Sequence, residues 1–235
     1  MLPTLIALSV FVGYFIESAF GFGGTIIALA GVGQLVDVKD AILIVTYASM
    51  CASSFVLLSD LKSFSWQHLI KIYTFALPGL LLGTFIFTIL QSAVLLKIFA
   101  VLLIAYALYS LANPKLCLPY FLSRFVLFVA GLLQGIYATG APFVLMGYGD
   151  KFENKSELRS AVAAFLLFGN VIRLVQLSVM GELKGGVFKD YWWIVVPIAI
   201  AVASGFFVHC RINDQLFKRG VFVLMLIAGI FYLVK

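Results

Sequence analysis

Hydrophobic residues run along the chain in long, nearly uncharged blocks, at about residues 3–36, 40–59, 68–90, 94–112, 121–148, 158–181, 190–210 and 216–234, with short polar joints between them. A helix needs roughly 20 apolar residues to cross a ~30 Å hydrocarbon layer at ~1.5 Å per residue. Within each block the apolar positions are continuous, not alternating, which disfavours a β-barrel. The pattern predicts an all-α polytopic membrane protein of about eight transmembrane segments. The first block is odd, because residues 3–36 would make a single helix of roughly 50 Å at ~1.5 Å per residue. It must break, tilt steeply or turn back. The glycines of "ESAFGFGGT" (Glu17 to Thr25), and Gly140 and Pro142 of "TGAP" in the fifth block, are the natural places to break, since glycine frees the backbone and proline removes a donor. Irregular backbone at membrane depth survives only when buried in protein or lining a polar cavity, so both motifs predict a cavity.

Composition agrees with this reading. Of 235 residues, 63% are hydrophobic and only 11% charged, with mean hydropathy +1.13, against about a quarter charged in soluble domains. The net charge of +6 comes from sixteen Lys and Arg scattered singly among the joints, the pattern of lipid-headgroup and orientation charges and not of a nucleic-acid stripe. Cys51, Cys117 and Cys210 have no metal or disulfide spacing, and His68 and His209 lie far apart, so no metal and no cofactor are expected. No phosphate-binding "GxxxxGK[ST]" occurs, which excludes direct ATP drive within the chain. The first block lacks a basic n-region and reads as a retained helix, not a signal peptide.

The connector "NPKLCLPY", Asn113 to Tyr120, divides the chain into residues 1–112 and 121–235, and the halves repeat the same order of features. "ESAFGFGGTII" aligns with "QGIYATGAPFV" at an offset of 117, pairing Glu17 with Gln134, Phe20 with Tyr137 and Gly23 with Gly140. "KDAILIVTYASMCASS" from Lys39 aligns with "RSAVAAFLLFGNVIRL" from Arg159 at an offset of 120. Trp66 with Pro78, then Trp192 with Pro197, follow, and each half closes on an apolar run, "LLKIFAVLL" or "LFKRGVFVL". Two four-segment repeats are expected within one integral membrane domain. Basic residues divide almost evenly between the two sides and assign no orientation; re-entrant first segments would make the repeats inverted, the arrangement favoured here.

Two residues are costly where they stand. Glu17 is the acidic residue inside an apolar block, and a carboxylate there costs several kcal/mol unless protonated or paired. It reads as a proton or cation coupling group, or as a cap on backbone N–H groups at the break. Arg173 lies near the centre of residues 160–181, with Gly169, Asn170 and Gln176 on the same helical face, and Thr46, Ser49 and Ser53 form the matching stripe in the first half. A buried guanidinium suits an oxyanion; the structural alternative is an Arg173–Glu17 pair joining the halves. Helices starting after the breaks, near Thr25 and Phe143, would aim N–H groups at the cavity. That makes Gly23, Gly24, Thr25, Thr139, Gly140 and Gln134 candidate substrate contacts beside Arg173, Asn170, Ser49 and Ser53. Ser18 could add a hydroxyl, with Phe22 and Tyr137 as walls. Trp66, Tyr73, Tyr191, Trp192 and Trp193 read as interface anchors, Pro78 and Pro197 as kinks, and Asp60, Asp150, Glu153, Glu157, Glu182 and Asp214 as solvated.

With "ESAFGFGGTIIAL" and "GLLQGIYATGAPFVLM" placed at the start of the two halves, the chain resembles the sulfite exporter TauE/SafE family over nearly its whole length. The second motif departs from the fuller glycine pattern at Ala138 and Ala141. The resemblance implies transport of small organosulfur anions, such as sulfite, sulfonates or related carboxylates, across an inner membrane. The expected partners are then a small anion and the lipid bilayer, with a homodimer admitted and nucleic acid excluded. An anion channel, an intramembrane enzyme and a scaffold subunit are the competing classes. The enzyme class lacks a nucleophile with a base, or a metal cluster.

Overall fold

The computed structural model describes residues 2–20, 23–59, 61–112, 119–183, 189–209, 226 and 229–230. Among these the chain is helical without strands: α1 (Leu2–Phe20), α2 (Gly24–Val32), α3 (Val38–Ser59), α4 (Trp66–Ile89), α5 (Ser92–Ala112), α6 (Tyr120–Tyr137), α7 (Ala141–Tyr148), α8 (Lys155–Val179) and α9 (Val195–His209). Stretches within α1, α3, α4, α6 and α8 are long and apolar enough to cross a membrane, and the protein is multi-pass. Most of the block at 216–234 and the connector 113–118 lie outside the described residues.

Each over-long block folds into a helix, a break and a short helix that doubles back. Gly24 of α2 packs on Gly13 and Glu17 of α1, Ala28 on Gly13, and Gly31 on Ser9, so α2 descends α1 in antiparallel contact. In the same way Gly140 lies against Ala130, and Gly147 against Ser123 and Leu127, so α7 returns along α6. α2 has 9 residues and α7 has 8, about half a crossing each at ~1.5 Å per residue. The first break turns on Gly23, whose φ of 88° is a left-handed conformation that a glycine takes without steric cost. The second break differs from the sequence expectation. Its left-handed residue is Ala138 (φ 58°), Gly140 has φ −104°, and Pro142 sits in the first turn of α7, where its missing N–H costs nothing.

The helices interlock across the halves. α4 runs parallel to α6, with Gly79 and Gly83 against the backbone of Phe128 and Leu132, and Gly131 and Gly135 against the carbonyls of Ala76 and Leu80. Such small-residue crossings let two backbones approach to contact. α9 packs along α1 in the same way, with Gly205 on Phe15 and Ser18, and the Ser18 hydroxyl donates to the Val202 carbonyl at 2.7 Å. α4 of the first half therefore lies on the broken helix of the second, and α9 of the second half on the broken helix of the first. α3 and α8 are antiparallel: climbing α3 from Thr46 to Ser53 and Val56 descends α8 from Arg173 to Leu166 and Ala163. One apolar core, from Val10 and Ile44 to Tyr137 and Ile198, runs through both halves.

Three sequence assignments change. Tyr73 is not an interface anchor: its hydroxyl donates to the Phe165 carbonyl at 2.6 Å and its ring packs on Phe165. Pro197 lies in the first turn of α9 and interrupts no helix, whereas Pro78 lies inside α4. Glu157 is not simply solvated. It pairs with His68 Nε2 at 2.9 Å, and it accepts from the Glu153 N–H at 3.0 Å. The other nitrogen of His68 meets the Tyr148 hydroxyl at 3.1 Å, which ties the starts of α4 and α8 to the end of α7.

Candidate functional site

The polar stripes of α3 and α8 face each other at the centre of the molecule. Thr46, Ser49, Ser53, Asn170 and Arg173 are all fully buried, as helical spacing predicts for one inward face on each helix. The two breaks flank this seam.

Both breaks are braced by the same device. Glu17 reaches forward so that its Oε2 accepts from the Thr25 N–H at 2.8 Å and the Thr25 hydroxyl at 2.6 Å. Gln134 reaches forward so that its Oε1 accepts from the Gly140 N–H at 2.9 Å. Each side chain thus satisfies a donor at the start of its half-helix, donors that have no intrahelical partner. Gln134 also donates from Nε2 to Asn170 Oδ1 at 2.8 Å, while Asn170 Nδ2 is buried without a partner. One backbone donor at each half-helix start, the Thr25 N–H and the Gly140 N–H, is therefore taken by a protein group.

Arg173 is spent in a similar way. Its Nε donates to the Gly135 carbonyl at 2.7 Å, its Nη2 to the Ile136 carbonyl at 3.4 Å and its Nη1 to the Thr46 hydroxyl. Its guanidinium lies 4.7 Å from the centre of the Phe87 ring. These carbonyls belong to the last turn of α6, where a cation satisfies orphan acceptors and complements the helix dipole. Among the described residues Arg173 forms no ion pair with Glu17; the guanidinium fastens α8 to α6 and to α3.

In the first half the equivalent place is open. The offset of 120 pairs Arg173 with Ser53 and Thr46 with Leu166. Where a guanidinium fills the second half, a cavity of about 10 Å³ lies between Glu17, Ser53, Val56, Arg159, Val162, Ala163 and Leu166. That is room for about one water molecule. The Ser53 hydroxyl is buried there without a partner. Arg159 is 7% exposed, and its guanidinium stands 5.0 Å from the centre of the Phe206 ring. A carboxylate, a hydroxyl and a guanidinium so converge on one small cavity at the interface of the halves.

The sequence-derived contacts separate into groups. Glu17, Ser53 and the α8 face meet at the cavity, with Thr25 one hydrogen bond behind Glu17. Gly23 and Gly24 form the turn behind it. Gln134, Gly140, Asn170 and Arg173 belong to the second break. Thr139 and Tyr137 line a separate apolar cavity of about 20 Å³, with Ile26, Phe99, Tyr106 and Phe143, where the two half-helices meet α5. The Tyr137 hydroxyl is taken up by the Leu95 carbonyl at 2.7 Å. Ser49 sits on the seam between the two places. Phe22 lies outside the described residues. Arg159 reads in the sequence as one of the joint charges, and the structure turns it inward. Its signal was the alignment with Lys39, a basic residue opening the second segment of each half.

A family model described as "Sulfite exporter TauE/SafE" matches residues 5–233. No curated protein and no solved structure matches the chain.

Proposed function

The chain belongs to the sulfite exporter TauE/SafE family, a family of membrane transporters, and from that premise we propose that it is a secondary transporter. Its substrate is a small organosulfur oxyanion, sulfite or a sulfonate, carried across the inner membrane with a proton. The observation that carries this reading is the cavity shared by Glu17, Ser53 and Arg159. The guanidinium supplies the forked donors that match an oxyanion, and the free Ser53 hydroxyl supplies one more.

Glu17 gives the coupling. An ionised carboxylate about 4 Å from a bound anion repels it by about 4 kcal/mol at an effective dielectric of ~20, roughly three decades in affinity. The anion therefore binds together with a proton on Glu17. An oxyanion is several times larger than the water-sized cavity, so it binds only when α3 and α8 part, and the seam is the moving surface.

An eight-segment architecture of two inverted repeats supports alternating access at that surface. Each hairpin, α1–α2 and α6–α7, returns the chain towards its side of origin, leaving an odd number of crossings per half. The antiparallel α3–α8 pair and the exchanged α4–α6 and α1–α9 contacts are those a two-fold axis in the membrane plane would produce.

Uptake of sulfite into proteoliposomes tests this. Saturable uptake accelerated by a proton gradient is expected. Arg159→Gln should raise KM at least tenfold, and Glu17→Gln should remove the response to the gradient. Conductance without saturation would mean a channel, and saturable transport indifferent to both variants would move the site elsewhere.

A further inference from the structure

The basic–aromatic pair beside the cavity has a counterpart at the other end of the seam. Lys39 aligns with Arg159, and Phe87 with Phe206 at the 119-residue offset that also relates Pro78 to Pro197. The contacts repeat as well: Lys39 Nζ lies 5.7 Å from the centre of the Phe87 ring, as the Arg159 guanidinium lies against Phe206. Each cation opens its helix, Lys39 being the second residue of α3 and Arg159 in the second turn of α8. Because the helices are antiparallel, these openings are at opposite ends. Ser160, next to Arg159, donates to the Ser63 carbonyl just beyond α3, so the start of α8 lies by the far end of α3, and the Arg159 side chain lines the cavity beside Ser53 and Val56, 14 and 17 residues from Lys39. α3 has 22 residues, or about 33 Å at ~1.5 Å per residue, the thickness of a hydrocarbon core.

Between Lys39 and the seam centre stand the partners of the cavity-lining residues: Gln134 for Glu17, Arg173 for Ser53 and Thr46 for Leu166. There the Arg173 guanidinium occupies the space, and Phe87 touches both it and Lys39. Lys39 spends one of its three N–H donors on the Thr88 carbonyl at 3.1 Å.

We propose that Lys39 and Phe87 form a second anion mouth on the membrane face opposite Arg159 and Phe206, leading to a half-path that the Arg173 side chain plugs. The proposal rests on the transport reading above, and extends it from one site to two gated approaches. In the described conformation the Arg159 approach holds a cavity and the Lys39 approach is filled. Opening the second requires Arg173 to leave Gly135 and Thr46, and those contacts re-form when the anion has passed.

Two measurements test this, the first without any transport. With Cys51, Cys117 and Cys210 replaced by serine, a thiol is placed beside Lys39 by Thr88→Cys, leaving the Thr88 carbonyl in place. Membrane-impermeant anionic and cationic thiosulfonate reagents are added to either face. With Asp37 and Asp40 beside Lys39, the ratio of anionic to cationic rates should be at least tenfold higher with Lys39 present than in the Lys39→Gln background, and an Arg159→Cys thiol should react only from the opposite face. A ratio unchanged by Lys39→Gln, or labelling of both positions from one face, would overturn the mouth whatever the substrate is. The second is KM for sulfite presented at each face of oriented proteoliposomes. Lys39→Gln should raise it tenfold at its own face and less than twofold at the other, whereas Arg159→Gln, which also takes the guanidinium from the binding cavity, should raise it at both. A Lys39→Gln shift at both faces alike, or at neither, would refute the two-mouth arrangement. Loss of all sulfite transport in the unaltered protein would instead strike the substrate assignment, and the labelling result would still decide the mouths.

Discussion

Replacing Glu17 separates two roles that the sequence could not separate. The carboxylate oxygen Oε2 holds two donors of Thr25, and Gln134 holds Gly140 N–H through an amide oxygen. An amide at position 17 can therefore make the same cap, and Glu17→Gln should cost at most about 1 kcal/mol, the worth of a single neutral hydrogen bond. Glu17→Ala takes the side-chain acceptor away from the Thr25 N–H, which lies behind a cavity with room for about one water molecule. A buried donor without a partner costs about 1–3 kcal/mol, and the lost side chain widens the cavity at about 24 cal/mol per Å³. The Thr25 hydroxyl can rotate, so its share is the smaller. The alanine variant should be about 2–4 kcal/mol less stable. Unfolding of the purified protein in mixed micelles with increasing dodecyl sulfate measures this directly. The expected order is unaltered protein close to Glu17→Gln, with Glu17→Ala well below both. Transport at varied pH then reads the charge alone, since the glutamine variant keeps its fold but no longer exchanges a proton. If Glu17→Gln were as unstable as Glu17→Ala, the cap would depend on the ionised carboxylate, and Gln134 would be no guide to it.

Two more perturbations probe the frame around the site. Arg173→Lys keeps the charge but not the fork that spans Gly135, Ile136 and Thr46; stability should fall by about 2–3 kcal/mol in the same micelle assay, as for a charged hydrogen bond left unmade, and an unchanged midpoint would contradict the bracing role. Gly131→Ala drives a methyl group into the Ala76 carbonyl where α4 and α6 cross; about 1–3 kcal/mol should be lost, whereas Gly149→Ala, with open space around it, should melt within about 0.5 kcal/mol of the parent.

Much of the site was legible because membrane burial makes polar residues conspicuous. Thr46, Ser49 and Ser53 against Asn170 and Arg173 followed from helical spacing alone, and the breaks followed from glycines in blocks too long to be one helix. What the residues could not disclose was partnership. Arg173 looks the same in a sequence whether it faces an anion or three protein acceptors, and its acceptors are a hydroxyl and two backbone carbonyls with no signature. Arg159 was obscured because a basic residue at a helix start is ordinarily a headgroup charge; only the packing of α8 on α3 and Phe206 turned it inward. The left-handed turn at Ala138 was obscured for the opposite reason, since glycine two residues on offered a cheaper pivot that the backbone does not use.

The exchange of partners between the halves has a consequence for how the protein is made. α1 is threaded into the bilayer first, but the helix that covers it, α9, follows more than 170 residues later, and the Ser18–Val202 hydrogen bond joins positions 184 apart in the chain. Until α9 arrives, the face of α1 bearing Phe15 and Ser18 has only lipid or an insertion chaperone against it. α4 likewise waits for α6. Neither half can complete its own walls, so a ribosome that stalls between them leaves an intermediate whose small-residue faces are open, and quality control at the membrane has a defined surface to recognise.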